Sequence, residues 1–134
     1  MSIEHSASKR VLYVEDNALV REITCDLLSD FALEIVPVAT GEAGLAAFQE
    51  GGFDIVVTDV SLPAMSGVDF VRHIKKLSPA LPVIVASGYP LSLVEGELGS
   101  NVMAITKPFE PVELDALIQD LCSRSAATGI VGAR

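Results

Sequence analysis

Five chemically able side chains stand just after, or at the end of, short apolar runs in this chain. Glu15 and Asp16 follow Val11-Leu12-Tyr13-Val14, and Asp59 comes after Ile55-Val56-Val57. Ser87 closes the run that begins Pro82-Val83-Ile84-Val85-Ala86, and Lys107 follows a weaker run at 101–106. Ser61 lies two residues beyond Asp59, and Tyr89 two beyond Ser87. Were the runs adjacent strands, three carboxylates, one hydroxyl and one ammonium would converge at one sheet edge. Three crowded carboxylates repel unless a cation sits among them. Hard oxygen ligands that leave room for water suit Mg2+. A carboxylate is also a phosphoryl acceptor, giving an acyl phosphate. That transfer needs charge neutralised on the equatorial oxygens, which Mg2+, the Lys107 ammonium and the Ser87 hydroxyl would supply. Each residue alone reads as an ordinary loop residue; their succession at the ends of runs points to a site.

The elements that must position these groups alternate. The unbroken, β-branched runs suit strands covered on both faces, with a further weak strand at 34–38. Between them lie helical patterns. Asn17 caps a predicted helix whose Leu19, Ile23, Leu27 and Phe31 recur every fourth residue. Thr40 caps a second, carrying Leu45 and Phe48, and Ser66 precedes a third with Phe70, Val71, Ile74 and Leu77 on one face. Segment 90–99 is the poorest helix, with two glycines, and is expected to be short or mobile. Pro111 opens the last, with Leu114, Leu117, Ile118 and Leu121 as its stripe. The pattern βαβαβαβαβα predicts an α/β fold, a flavodoxin-like doubly wound parallel sheet of five strands in the order 2-1-3-4-5 with five flanking helices. Ligands in such sheets bind at the carboxyl ends of the strands, where the named residues fall.

Composition narrows the function. The chain has 134 residues and a formal charge of −9, from 18 acidic and 9 basic side chains. That length fits one domain with a proper core. We expect a flexible start at 1–8, the domain at 9–122 and a flexible tail at 123–134, too short for an output domain. The acidic balance and 5% aromatic content argue against nucleic-acid binding. No apolar run approaches the ~20 residues of a membrane span, and the polar start has no secretory h-region. Cys25 and Cys122 are far apart and read as small buried or half-buried thiols in a reducing cytosol, so a cytoplasmic location is expected. His5 and His73 are too few and too scattered for zinc, and His73, beside Arg72 and two lysines, reads as part of a solvated basic face.

Glu15-Asp16-Asn17, Asp59 followed by Leu62-Pro63-Ala64-Met65-Ser66-Gly67, Ala86-Ser87-Gly88 and Lys107-Pro108-Phe109 together resemble the receiver domain of two-component response regulators. The resemblance covers about residues 9 to 122. It implies that Asp59 takes a phosphoryl group from a histidine kinase or a histidine phosphotransfer protein. It implies that Asp16, Asp59 and the backbone carbonyl of Ser61 hold Mg2+ with help from Glu15, and that Lys107 and Ser87 contact the phosphoryl group. Such a protein is a signalling switch and not an enzyme acting on other substrates. Its usual output surface is the face of the fourth helix, strand 5 and the fifth helix, which would meet an unknown downstream protein or a second copy in a homodimer. Pro63 and Gly67 are also ordinary turn chemistry, bending the chain sharply so that the next helix starts at once. The sequence departs from the pattern at Ala104, where the family carries an aromatic that swings when the hydroxyl residue moves. Alanine has no rotamer to switch, and Tyr89 is the nearest aromatic that could gate the pocket.

Two other classes compete. A phosphatase of haloacid-dehalogenase type also uses a nucleophilic Asp, a Lys and Mg2+, but its nucleophile opens an Asp-x-Asp pair after strand 1. Here the chain reads Glu15-Asp16-Asn17. A flavodoxin-like or dinucleotide-binding module would need a glycine-rich first turn, which is absent.

Overall fold

The structure, a computed structural model, describes residues 8–88 and 98–132, with side chains described as far as Arg124. Strands β1 (Lys9–Val14), β2 (Leu33–Val38), β3 (Ile55–Asp59), β4 (Val83–Ser87) and β5 (Val102–Thr106) form one sheet in the order β2-β1-β3-β4-β5. Every pairing is parallel. Helices α1 (Ala18–Leu28), α2 (Gly41–Gln49), α3 (Gly67–Leu77) and α4 (Pro111–Gly132) flank it. These are the four helices among the described residues, where the sequence pattern predicts five. The predicted fourth helix, at 90–99, lies mostly on 89–97, outside the described residues.

The strands alternate between two cores, as a period of two requires. Val11 and Tyr13 of β1 join Leu28, Ile55, Val57, Ile84, Leu114, Ile118 and Leu121 on one side. Leu12 and Val14 join Val56, Phe70, Val71, Ile74, Val83 and Val85 on the other. This double coverage is why the central strands are apolar along their whole length.

The predicted caps at Asn17 and Thr40 are in place, and Ser66, expected only to precede the third helix, caps it too. The backbone N–H groups of Val20, Ala43 and Asp69 donate to Asn17 Oδ1, Thr40 Oγ1 and Ser66 Oγ at 2.9, 3.0 and 3.1 Å. Each satisfies one of the orphan donors at a helix start.

One expectation is overturned on α1. Its fourfold repeat of Leu19, Ile23 and Leu27 does not face the sheet; these side chains are 64%, 47% and 53% exposed. Leu28 is the buried residue of α1, with Cys25 half-buried against the same core. At 100° per residue the apolar stripe lies roughly 140° round the axis from Leu28, so the helix carries two apolar faces and the sheet takes the narrower one. Phe31 lies beyond the helix end and packs against that core. On α3, Leu77 is likewise exposed, whereas Phe70, Val71 and Ile74 are fully buried as expected. The last helix also continues past Cys122 to Gly132, so helical structure extends into the segment read from sequence as a tail.

Candidate functional site

Strand register makes the edge. Val14 pairs with Thr58, so Glu15 follows β1 level with Asp59, the last residue of β3. Asp59 pairs with Ala86, and Ser87 with Thr106, which puts Ser87 and Lys107 at the same rim. The Lys107 N–H then donates to the Ser87 carbonyl at 2.7 Å. Four strands therefore end together; β1 is followed by two acids, Glu15 and Asp16, and each of the other three contributes one chemical group.

The Lys107 ammonium is shared. It donates to Asp59 Oδ2 at 3.1 Å and to Glu15 Oε1 at 3.2 Å. Glu15 is 3% exposed and Asp59 9%. Burial pulls the Lys107 pKa down, but its hydrogen bond to Asp59 and the charges of Asp59 and Glu15 outweigh that, and it lies above its ordinary value. Such a pair tolerates burial only while both sides are present, because removing the cation strands two carboxylates. Asp16 is exposed, and one carboxylate oxygen from each of Glu15, Asp16 and Asp59 lies within 4.8 Å of the others. Three hard anionic oxygens that close, one of them open to water, fit a hydrated divalent cation such as Mg2+.

Asp59 is held from several directions. Its Oδ1 accepts from the Ser61 N–H at 3.3 Å, and its carbonyl accepts from Thr58 Oγ1 at 3.0 Å. The Gly67 N–H donates to the Val60 carbonyl at 3.0 Å. A Cβ on Gly67 would stand 2.0 Å from the Asp59 carbonyl oxygen and 2.7 Å from Val60 Cα. No side chain fits there, so the start of α3 rests directly on the end of β3. Ala64, in the loop between, takes a left-handed φ of 64°.

The structure brings Glu15, Asp16, Asp59 and Lys107 into contact range and puts buried Ser87 on the same rim. Ser61 adjoins Asp59 through its amide. Tyr89 lies outside the described residues. Ala104 is exposed on β5, where it lines an open groove of about 500 Å3 with Met103, Thr106, Glu113, Leu117 and Asp120. His73 is exposed beside Arg72 and Lys76. Cys25 and Cys122 are free thiols, and burial pushes Cys122 up to about 11 and raises Cys25. Sequence reasoning missed Arg21. Its Nη1 reaches back from α1 to donate to the Glu15 carbonyl at 2.7 Å. A lone cation facing the sheet was the available signal, but the outer leucine stripe hid which face that was.

The family model described as "Response regulator receiver domain" matches residues 11–119. Chemotaxis protein CheY of Thermotoga maritima is 33% identical over 106 residues, covering 77% of this chain and 88% of that protein. The phosphate regulon transcriptional regulatory protein PhoB of Escherichia coli is 34% identical over 122 residues, covering 87% of this chain and 53% of PhoB. The chain thus spans most of one relative and about half of the other. Among solved structures, a CheY-like response regulator receiver domain protein from Methanospirillum hungatei superposes with a TM-score of 0.82 at 26% identity, covering 91% of this chain and 99% of that one. The receiver domain of the hybrid histidine kinase CckA gives 0.72 at 26% identity, covering 84% and 98%.

Proposed function

This chain belongs to the response regulator receiver family, and from that premise we propose that Asp59 accepts a phosphoryl group in a Mg2+-dependent reaction with a histidine kinase or histidine phosphotransfer protein. The observation that carries the reading is the shared Lys107 ammonium, bonded to both Asp59 and Glu15 beside the exposed Asp16. An Asp59 carboxylate oxygen forms the new P–O bond as the P–N bond of the donor phosphohistidine breaks. Asp16, Asp59 and the Ser61 carbonyl, with Glu15 assisting, hold the cation. When bound, it offsets the carboxylates and draws charge from the phosphoryl oxygens. Lys107 moves one of its donors from carboxylate to phosphoryl oxygen, and the Ser87 hydroxyl donates to another. Gly67 keeps the wall behind Asp59 free of side chain.

Leu19 and Val20, exposed in the first turn of α1, stand at the rim that a protein donor has to cover. Output runs through the face of β5 and the helices beside it, toward a downstream protein or a second copy. With Ala104 in the place of the family's aromatic, the signal travels without a swinging ring there, and Tyr89 is the aromatic left to gate the pocket. The reading places the chain in the cytoplasm; no described helix is long and apolar enough to cross a membrane.

Acetyl phosphate with Mg2+ tests the assignment. Intact-mass analysis is expected to show a labile gain of one phosphoryl group that disappears in Asp59→Asn and on omission of Mg2+. Equal uptake by Asp59→Asn overturns the assignment of the acceptor. The phosphatase alternative has lost its basis with the family established and Glu15-Asp16-Asn17 at the end of β1.

A further inference from the structure

The turn that carries two of the three acids, Glu15 to Asn17, joins β1 directly to α1. Glu15 is fastened at every polar group. Its N–H donates to the Val38 carbonyl at 3.1 Å, Oε2 accepts from the Asn17 N–H at 3.1 Å, and Oε1 accepts from Lys107. Its carbonyl accepts from Arg21 Nη1 at 2.7 Å. Asp16 differs: among the described residues its carboxylate has no hydrogen-bond donor. No hydrogen bond from the described residues fixes its direction, which leaves the backbone of the turn to place it. Among the described residues, Arg21 is the one side chain of α1 that hydrogen-bonds to that backbone, beside the Asn17 cap on the Val20 N–H.

We propose that Arg21 is a positioning residue for divalent-cation binding: its guanidinium, bonded to the Glu15 carbonyl from the end of the first turn of α1, holds the Glu15–Asp16 peptide so that the Asp16 carboxylate faces Asp59. The inference rests on the Mg2+ reading above. Two effects of Arg21 have opposite signs, which makes the role separable. As a positive charge near the acids, Arg21 opposes a second cation, and removing it tightens binding. As a tie on the turn, it preorganises the acids, and removing it weakens binding. A short charge-assisted bond to a half-buried carbonyl makes the tie the larger effect, since partners that orient metal ligands are worth about ten- to a hundredfold in affinity.

Calorimetric titration of Mg2+ into the unphosphorylated chain tests this, using Arg21→Met, which keeps the stem, Arg21→Gln, which keeps a donor, and Arg21→Lys. Arg21→Met is expected to bind about tenfold more weakly, with Arg21→Lys close to wild type and Arg21→Gln between them. Thermal midpoints measured in chelator separate this from a loss of fold. Should Arg21→Met unfold, the ranking of Gln against Lys decides the matter. Binding by Arg21→Met, or by Arg21→Gln where Met unfolds, as tight as wild type or tighter overturns the proposal. Asp16→Asn tells the two failures apart: if wild type binds no Mg2+, or Asp16→Asn binds it equally well, the metal reading falls first. If Asp16→Asn abolishes binding while the Arg21 variants leave it unchanged, the role of Arg21 alone is rejected.

Discussion

Helices α1 and α3 are both eleven residues long, both start at the same sheet edge, and both carry apolar residues at helical spacing, with opposite outcomes. On α3, Phe70, Val71 and Ile74 are 0% exposed. On α1, Leu19, Ile23 and Leu27 stand in solvent. The difference lies in how each helix is entered. α3 begins on Gly67, whose missing side chain lets the helix settle against β3 with its apolar face inward. α1 begins from a turn pinned by Glu15, Asn17 and Arg21, and that turn points the face of Thr24, Cys25 and Leu28 at the sheet. Burying a large aliphatic side chain is worth about 1.5–3 kcal/mol, so α1 leaves considerable stabilisation unused. Geometry at the site has set the rotation of α1, whereas packing has set that of α3.

The comparison breaks most readily at Phe70. Phe70→Ala empties a fully buried position against Gly44 and is expected to cost about 3–5 kcal/mol in chemical denaturation. A loss below about 1 kcal/mol would mean that the α3 face is not the packed one.

Alkali sharpens the contrast, because the titratable groups of the two cores lie on the α1 side. Burial pushes Tyr13 from 10.0 up to about 12 and Cys122 from 9.0 up to about 11. Both groups hold their protons more tightly when folded, so their contribution is intact below pH 9 and is lost as pH rises toward 11 and 12. Lys107, also raised, adds a loss above its ordinary 10.5. Unfolding midpoints are expected to fall from about pH 9, and Cys122→Ala should delay the onset. A midpoint flat to pH 11 would contradict the buried placement of these groups.

The smallest effect belongs to the outer stripe. Ile23→Lys and Leu27→Lys are expected to change stability by no more than about 0.5 kcal/mol. A loss from either that rivals Phe70→Ala would show that the α1 stripe is buried after all.

The same contrast explains what could be read from sequence. Parallel pairing and strand order follow from the alternation of strands and helices, the caps at Asn17 and Thr40 follow from local chemistry, and all are present. The meeting of Glu15, Asp16, Asp59 and Lys107 follows from strand order once the runs are recognised as strands. The rotation of α1 was not legible, because periodicity identifies an apolar face without saying what covers it. The role of Arg21 was hidden for the same reason. The extension of α4 past Cys122 contradicts no local signal, since Ser123 to Ala127 contain no proline or glycine to stop a helix.

The ion pair between Lys107 and Glu15 joins residues 92 positions apart, and that between Lys107 and Asp59 spans 48. Contacts so remote along the chain are among the last that folding rewards, because the loop entropy has to be met before they form. The cluster cannot exist in a chain that has assembled only its first three strands, since its ammonium arrives with β5. The Lys107–Asp59 ion pair therefore reports that the sheet is complete, and a half-made molecule emerging from synthesis holds its carboxylates without the ammonium that organises them.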